Sequence, residues 1–298
     1  MAVRQNRIVA ACEPIDLRHQ SDRVVGAYLV DTDDGLALFD CGPTSCLAAL
    51  KAGLAERGLE LADVRHLLLS HIHLDHAGAA GVLVREHPRL RVHVSEVGAP
   101  HLVDPSRLEA SARRLYGDAF DDLWGELAPV PEENVDVVGD RVVGLECFPS
   151  PGHASHHVCY VHSDGTLYAG DAAGVRVVPG RHVLPVCPPP DLDVEAWFRT
   201  LEEIEHRRPE RLALIHFGVA ESPSEHLAMA REELAKWSER CEQGMDEEEW
   251  IAAARRDLEA AVGDEADLWV RAGSFWQSYA GMRRYWDKRR EREAAPAA

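Results

Sequence analysis

Between Leu69 and Gly78 the chain reads Leu-Ser-His-Ile-His-Leu-Asp-His-Ala-Gly, which places His71, His73, Asp75 and His76 within six residues. Three imidazoles and a carboxylate crowded at the end of an apolar run are costly to bury unless a common partner ties them together. A metal ion is such a partner, because neutral imidazole and carboxylate both ligate zinc, iron and manganese. A loop at a strand end can present His71 and His73 to one ion and turn Asp75 and His76, at the start of the next helix, toward a second. So short a segment cannot complete two coordination shells, and the chain carries three further donors in a similar setting. His153 follows Phe148-Pro149-Ser150-Pro151-Gly152, Asp171 follows Leu167-Tyr168-Ala169-Gly170, and His216 follows Leu212-Ala213-Leu214-Ile215. Each lies just past an apolar strand-like run, where a sheet rim can hold a polar group rigidly. With sixteen histidines in the chain, chance clustering is the rival explanation. His19, His66, His87, His101, His206 and His226 are accordingly read as structural or solvated.

The order His-x-His-x-Asp-His, a lone His, an Asp and a final His resembles the metallo-β-lactamase superfamily over about residues 20–220. The resemblance implies an α+β fold, an αββα sandwich with the site along one edge of the facing sheets. It implies that His71, His73 and His153 hold one ion, that Asp75, His76 and His216 hold the other, and that Asp171 bridges them. Asp40, in Leu38-Phe39-Asp40-Cys41-Gly42, matches a position that supports the site from behind its ligands. Two divalent ions about 3.5–4 Å apart can activate a water between them at neutral pH and stabilise charge developing on a carbonyl or phosphoryl oxygen. Zinc is the expected metal, with iron and manganese as alternatives. Asp75 and Asp171 are the expected catalytic carboxylates, Asp75 steering the nucleophile or handing a proton to the leaving group.

Within the superfamily, the dinuclear β-lactamases do not use a bridging aspartate, so Asp171 speaks against that activity. RNA-processing members carry an inserted domain for which the span from Asp171 to His216 leaves no room. Flavodiiron members place Glu where this chain has His73. The segment Pro151-Gly152-His153-Ala154-Ser155-His156-His157 is similar to the Pro-Gly-His-x-x-Gly-His of glyoxalase II-like thioesterases and lactonases, with His156 in place of the glycine and His157 expected behind the ligands. The expected reaction is therefore hydrolysis of a small thioester or lactone by a metal-activated hydroxide. The alternatives are persulfide dioxygenase chemistry at a single iron and phosphodiester hydrolysis on the same fold; a complete ligand set disfavours a non-catalytic binding protein.

These donors need a scaffold. The chain has 298 residues, 46% hydrophobic and 28% charged, an ordinary globular composition. A net charge of −19 disfavours nucleic acid as a partner and leaves a small-molecule substrate. Strands are expected at 24–30 and 36–40, joined by the turn Thr32-Asp33-Asp34-Gly35, and at 64–69, 91–94, 142–148, 158–161, 166–169 and 212–215. A helix at 45–57 should close at Gly58. Residues 1–221 form the expected catalytic domain, with a helical insertion at 101–128 serving as lid or packing element; residues 222–298 form a C-terminal helical region packed on it. There Ser222-Pro223-Ser224-Glu225 has the spacing of a capping box, Asp246 and Glu249 repeat it, and one last helix carries Leu268, Ala272, Phe275, Tyr279, Met282 and Trp286. The charged tail from Lys288 is expected to fray. The proline-rich stretch 185–191 reads as a rigid loop that walls the pocket or simply connects. Seven cysteines without a Cys-x-x-Cys pair point to free thiols in a reducing compartment. The N-terminal MAVRQNRIVAACEPID lacks a signal-peptide core and no stretch is long and apolar enough for a membrane span, so a cytoplasmic protein without membrane contact is expected. The apolar C-terminal region is compatible with a homodimer.

Overall fold

A computed structural model of the chain describes residues 12–294. Most of the N-terminal segment discussed above, and the last four residues, lie outside the described residues.

The strands of the described residues form two six-stranded mixed sheets. The first follows chain order through β1 (Ile15–Asp16), β2 (Gly26–Thr32), β3 (Gly35–Phe39), β4 (Val64–Leu68), β5 (Arg91–Val94) and β6 (Val135–Val137). Its β1–β3 edge is antiparallel and β3 to β6 run parallel. Leu67, Leu68 and Leu69 are buried without alternation, as a central parallel strand covered on both faces requires. The second sheet comprises β7 (Arg141–Val142), β8 (Leu145–Pro149), β9 (Val158–Val161), β10 (Thr166–Gly170), β11 (Arg211–Leu214) and β12 (Gly218–Ala220), and only its β10–β11 pair is parallel. Phe39 from the first sheet packs on Tyr160 and Tyr168 from the second, with ring centroids 5.8 and 5.2 Å apart. Two of the buried tyrosine hydroxyls find backbone acceptors across the sheets, as burial demands. Tyr28 Oη donates toward the Leu214 and Gly218 carbonyls at 2.7 and 2.8 Å, and Tyr160 Oη donates to the Leu69 carbonyl at 2.8 Å. These bonds pin the two sheets together at the ends of β4 and β11, two residues before His71 and His216.

The helices are α1 (Leu47–Glu56), α2 (Leu74–Ala77), α3 (Ala80–Glu86), α4 (Ala99–Val103), α5 (Ser106–Tyr116), α6 (Phe120–Trp124) and α7 (Val194–His206), followed by α8 (Pro223–Glu242), α9 (Glu247–Val262), α10 (Ala266–Ala272) and α11 (Phe275–Ala294). The expected αββα layering with C-terminal helices is what forms, and α4–α6 lie between β5 and β6. Trp237, Trp250 and Trp269 are fully buried in the same core as Phe39, so apolar packing runs without a break from the sandwich into the C-terminal helices.

Several local readings change. The run 142–148 is not one strand: it folds at Val143 and Gly144, both at positive φ, into the tight β7–β8 hairpin. The expected last helix is two, α10 and α11, separated at Gly273-Ser274; Trp269, not Leu268, takes the buried position in α10. Ser222 makes no side-chain cap bond, although Pro223 follows it at the first helical position, whereas Asp246 accepts from the Glu249 amide at 2.9 Å. The tail does not fray at Lys288: α11 continues to Ala294, held by Arg289 on Glu195 and Arg290 on the Glu242 carbonyl. All seven cysteines are free. No helix among the described residues is long and apolar enough to cross a membrane.

Candidate metal centre

The seven expected donors follow four strands: β4 leads to His71 and His73 in a loop and to Asp75 and His76 on α2, β8 leads to His153, β10 to Asp171 and β11 to His216. The fold brings all seven together. Their donor atoms fall into three overlapping groups, His71 with His73 and His153, His71 with His76 and Asp171, and Asp75 with His76 and His216, each within 4.8 Å.

In the first group, His71 Nε2 and His153 Nε2 lie 2.8 and 2.9 Å from His73 Nδ1. Burial, then the neighbouring imidazoles, hold His71 and His73 well below the usual histidine pKa; burial lowers His153 as well. The three rings are therefore neutral and turn nitrogens toward one point. In the other group, His76 Nε2 lies 3.4 Å from Asp171 Oδ1 and 3.9 Å from Asp75 Oδ2. His216 Nε2 lies 3.4 Å from Asp75 Oδ2 and 3.7 Å from Asp171 Oδ1. Burial opposes charge here, yet Asp171 and Asp75 outweigh it and raise both His76 and His216. Against the same burial, these imidazoles hold Asp75 and Asp171 below the usual carboxylate range. Asp171 faces both groups, its Oδ2 lying 3.5 Å from His153 Nε2.

His76 Nε2, His216 Nε2 and Asp171 Oδ1 are buried without a hydrogen-bond partner. Three such orphans converging on one space are hard to reconcile with a purely structural role, since each forfeits its solvation. A divalent cation among them satisfies all three, and the donor chemistry fits one.

The inward aim of four of the five donor imidazoles is set from behind. His153 Nδ1 donates to the Val186 carbonyl at 2.7 Å and His216 Nδ1 to the Val24 carbonyl at 2.6 Å, which leaves Nε2 as the inward lone pair. His76 Nδ1 lies 2.8 Å from Asp40 Oδ2. Asp40 is fully buried and also accepts from the Ser70 amide and hydroxyl at 2.7 Å each, while His71 Nδ1 reaches Ser70 Oγ at 2.9 Å. His157 accepts the Asp171 amide on Nε2 at 3.1 Å and donates from Nδ1 to Ser150 Oγ at 2.7 Å, so it fixes the backbone of Asp171. Gly170 sits at φ +51 with Ser70 and His157 against it, leaving no room for a Cβ. Asp40 and His157 both lie behind the donors.

Sequence reasoning missed other parts. Ser70 links Asp40 to two histidines and carries no motif signal of its own. The proline-rich loop is more than a connector: its Val186 carbonyl orients His153, and Asp191 accepts from Ser155 Oγ at 2.9 Å. His156 is buried, its ring stacked 5.9 Å from His71 and edge-on to His73 at 5.5 Å; burial lowers it to about 4. His66 and His226 are buried and hydrogen-bonded, as read. His19, read with them, instead stacks on Trp124 beside the site, with the Asp75 and His216 charges acting on its ring.

A profile described as the metallo-beta-lactamase superfamily matches residues 22–216, a span that takes in all seven donors. The chain belongs to the metallo-beta-lactamase superfamily. A superfamily protein from the archaeon Sulfolobus tokodaii shares the fold with a TM-score of 0.64 at 19% identity, over 92% of this chain and 97% of that one. A structure described as a di-iron-bound form is similar at 25% identity and a TM-score of 0.54, over 72% of this chain and 95% of that one. A Mycobacterium tuberculosis protein named "Probable metallo-hydrolase" is 29% identical over 201 residues, 53% of this chain and 63% of its own length.

Proposed function

We propose that this superfamily member is a metal-dependent hydrolase that holds two divalent cations and cleaves a small thioester or lactone. The observation that carries the reading is the placement of Asp171, one carboxylate oxygen toward each donor group, with its own Oδ1 and the Nε2 atoms of His76 and His216 buried without a partner. The hydrolase naming of the mycobacterial relative and the di-iron form of the structural neighbour support it. So does the similarity of Pro151–His157 to the glyoxalase II-like motif.

In this reading His71, His73 and His153 hold one cation, Asp75, His76 and His216 the other, and Asp171 both. Bound there, the cations supply Lewis acidity and make water a nucleophile near neutral pH. The chain's own contribution is orientation and proton handling. Asp40, Ser70 and the Val186 and Val24 carbonyls keep the imidazole lone pairs aimed inward. Asp75 has a quarter of its side chain open to solvent, against 3% for Asp171. Ionised and at the mouth of the site, its carboxylate is placed to take a proton from water and pass it to the leaving group.

The test is metal analysis of purified protein followed by a panel of thioesters, lactones and phosphodiesters. Two bound cations per chain with turnover of thioesters or lactones is the expected result. One iron per chain with oxygen consumption on a persulfide, or turnover confined to phosphodiesters, overturns it.

A further inference from the structure

The five donor imidazoles are not held alike. His71, His76, His153 and His216 each have the nitrogen that faces away from the other donors tied to a neighbouring oxygen. His73 does not. It turns Nδ1 toward His71 and His153, and its Nε2 has no hydrogen-bond partner among the described residues. It is also the one donor imidazole that is partly open to solvent. A donor histidine without a partner on its second nitrogen keeps its rotation only if packing stops it from turning. Three rings pack on His73: His71, His153 and His156, with centroids 4.4, 4.8 and 5.5 Å away. The first two are fellow donors. His156 belongs to no donor group.

His156 is itself anchored on several sides. It is buried, nearly parallel to His71 at an interplanar angle of 14° and perpendicular to His73. Its Nδ1 accepts the amide of Ile72, the residue between those two donors, in a long bond of 3.5 Å. Its Nε2 faces Asp191 Oδ2 at 3.9 Å, the oxygen that also accepts from Ser155 Oγ. Its carbonyl accepts from the Ser95 hydroxyl, just past β5, at 2.7 Å. The proline-rich segment grips the same loop twice more, through the Val186 carbonyl on His153 and the Asp193 amide on the Gly152 carbonyl at 2.8 Å. The ring is thus clamped between that segment and the loop after β4. Glycine, which the similar Pro-Gly-His-x-x-Gly-His motif has at this position, would put no side chain against His73.

We propose that His156 is a positioning residue for the three-imidazole group: its ring is the brace that fixes the rotation of His73 and so sets the grip of that group on its cation. The brace rests on packing; its consequence for the cation rests on the reading given above. The effect is confined to one half of the centre, because the donor rings that His156 packs on, His71 and His73, both belong to that half.

The test compares wild type with His156→Gly and with His156→Phe, which keeps a ring and loses both nitrogens. One readout is chelator competition for each bound cation, with the visible absorption of cobalt-loaded protein. The other uses metal-free protein labelled with 13C-histidine and follows the ring signal of His73, assigned by its loss in His73→Gln. His156→Gly should bind one cation about 10- to 100-fold more weakly and the other within about threefold of wild type, with altered cobalt bands. His156→Phe should restore the lost affinity to within about threefold of wild type. The His73 ring should give one fixed-rotamer signal in wild type and His156→Phe, and a rotamer-averaged one in His156→Gly, with circular dichroism confirming the fold. Wild-type affinity for both cations in His156→Gly overturns the proposal. So does equal weakening of both, or a loss in His156→Phe as large as in His156→Gly. If wild type binds no cation while the His73 signal follows the expected pattern, the hydrolase reading falls and the brace stands.

Discussion

The two halves of the metal centre are made of different chemistry. His71, His73 and His153 bring imidazoles alone, and burial holds all three below their ordinary pKa. Asp75 sets a carboxylate against His76 and His216, and there the imidazoles are raised. One half offers neutral lone pairs; the other concentrates negative charge, and Asp171 lends one oxygen to each. Their supports overlap, but only the charged half has a buried carboxylate behind it. Backbone carbonyls and a serine hydroxyl hold His153, His216 and His71, whereas a buried carboxylate, Asp40, holds His76. The lesson is that charge rather than donor number separates the halves, so single substitutions should empty them unequally.

The largest expected effect comes from the residue the halves share. Asp171→Ala removes a donor from both, and turnover should fall on the order of a thousandfold with less than one cation retained. Elemental analysis showing two retained cations would break the picture of a shared bridge. Asp75→Asn touches only the charged half and its proton handling, and kcat should drop on the order of a hundredfold with KM little changed. Full kcat at full occupancy would strip Asp75 of that role. Asp40→Asn acts directly on His76 and only through Ser70 on His71; chelator competition should show one cation bound about 10- to 100-fold more weakly and the other changed far less. Equal weakening of both would erase the distinction between the halves.

The smallest effect serves to separate loss of ions from loss of fold in acid. His226 is fully buried, donates to the Ala173 carbonyl at 2.8 Å, and burial lowers it to about 4. A histidine depressed in the folded state favours folding above its unfolded pKa, and that stability is lost as pH falls from about 6.5 toward 4. At pH 5 the loss amounts to roughly 2 kcal/mol. Metal-free His226→Gln should therefore show a smaller drop in Tm between pH 7 and pH 5 than the metal-free wild type. Parallel drops would place the acid sensitivity elsewhere.

Much of this architecture is legible in the residues because its causes are local or strongly patterned. The run Leu67-Leu68-Leu69 reads as a central strand since nothing polar interrupts it, and the donors announce themselves by being costly to bury without a common partner. What is not legible is decided by tertiary contact. Val143 is β-branched and argues for a continuing strand, yet the hairpin bends there because sheet pairing outweighs local preference. Strands β1, β6 and β12 are too short to carry a period of their own. Gly273 reads as one weak position within an apolar rhythm that α10 and α11 both keep. His19 lies far from the motif and gives no hint in sequence that it stacks on an indole contributed by the insertion.

One contact in the last helix reaches further than its position implies. A side chain on Gly281 would run into the Cys187 carbonyl oxygen, and Ser278 Oγ accepts the Cys187 amide at 3.3 Å. The next carbonyl back along the chain is that of Val186, which sets the rotation of His153. Helix α11 therefore supplies no donor, yet acts as the anchor of a lever whose other end is one. Exchanging this helix between relatives, or drifting it by mutation, would retune the grip on a cation from a place that touches neither cation nor substrate.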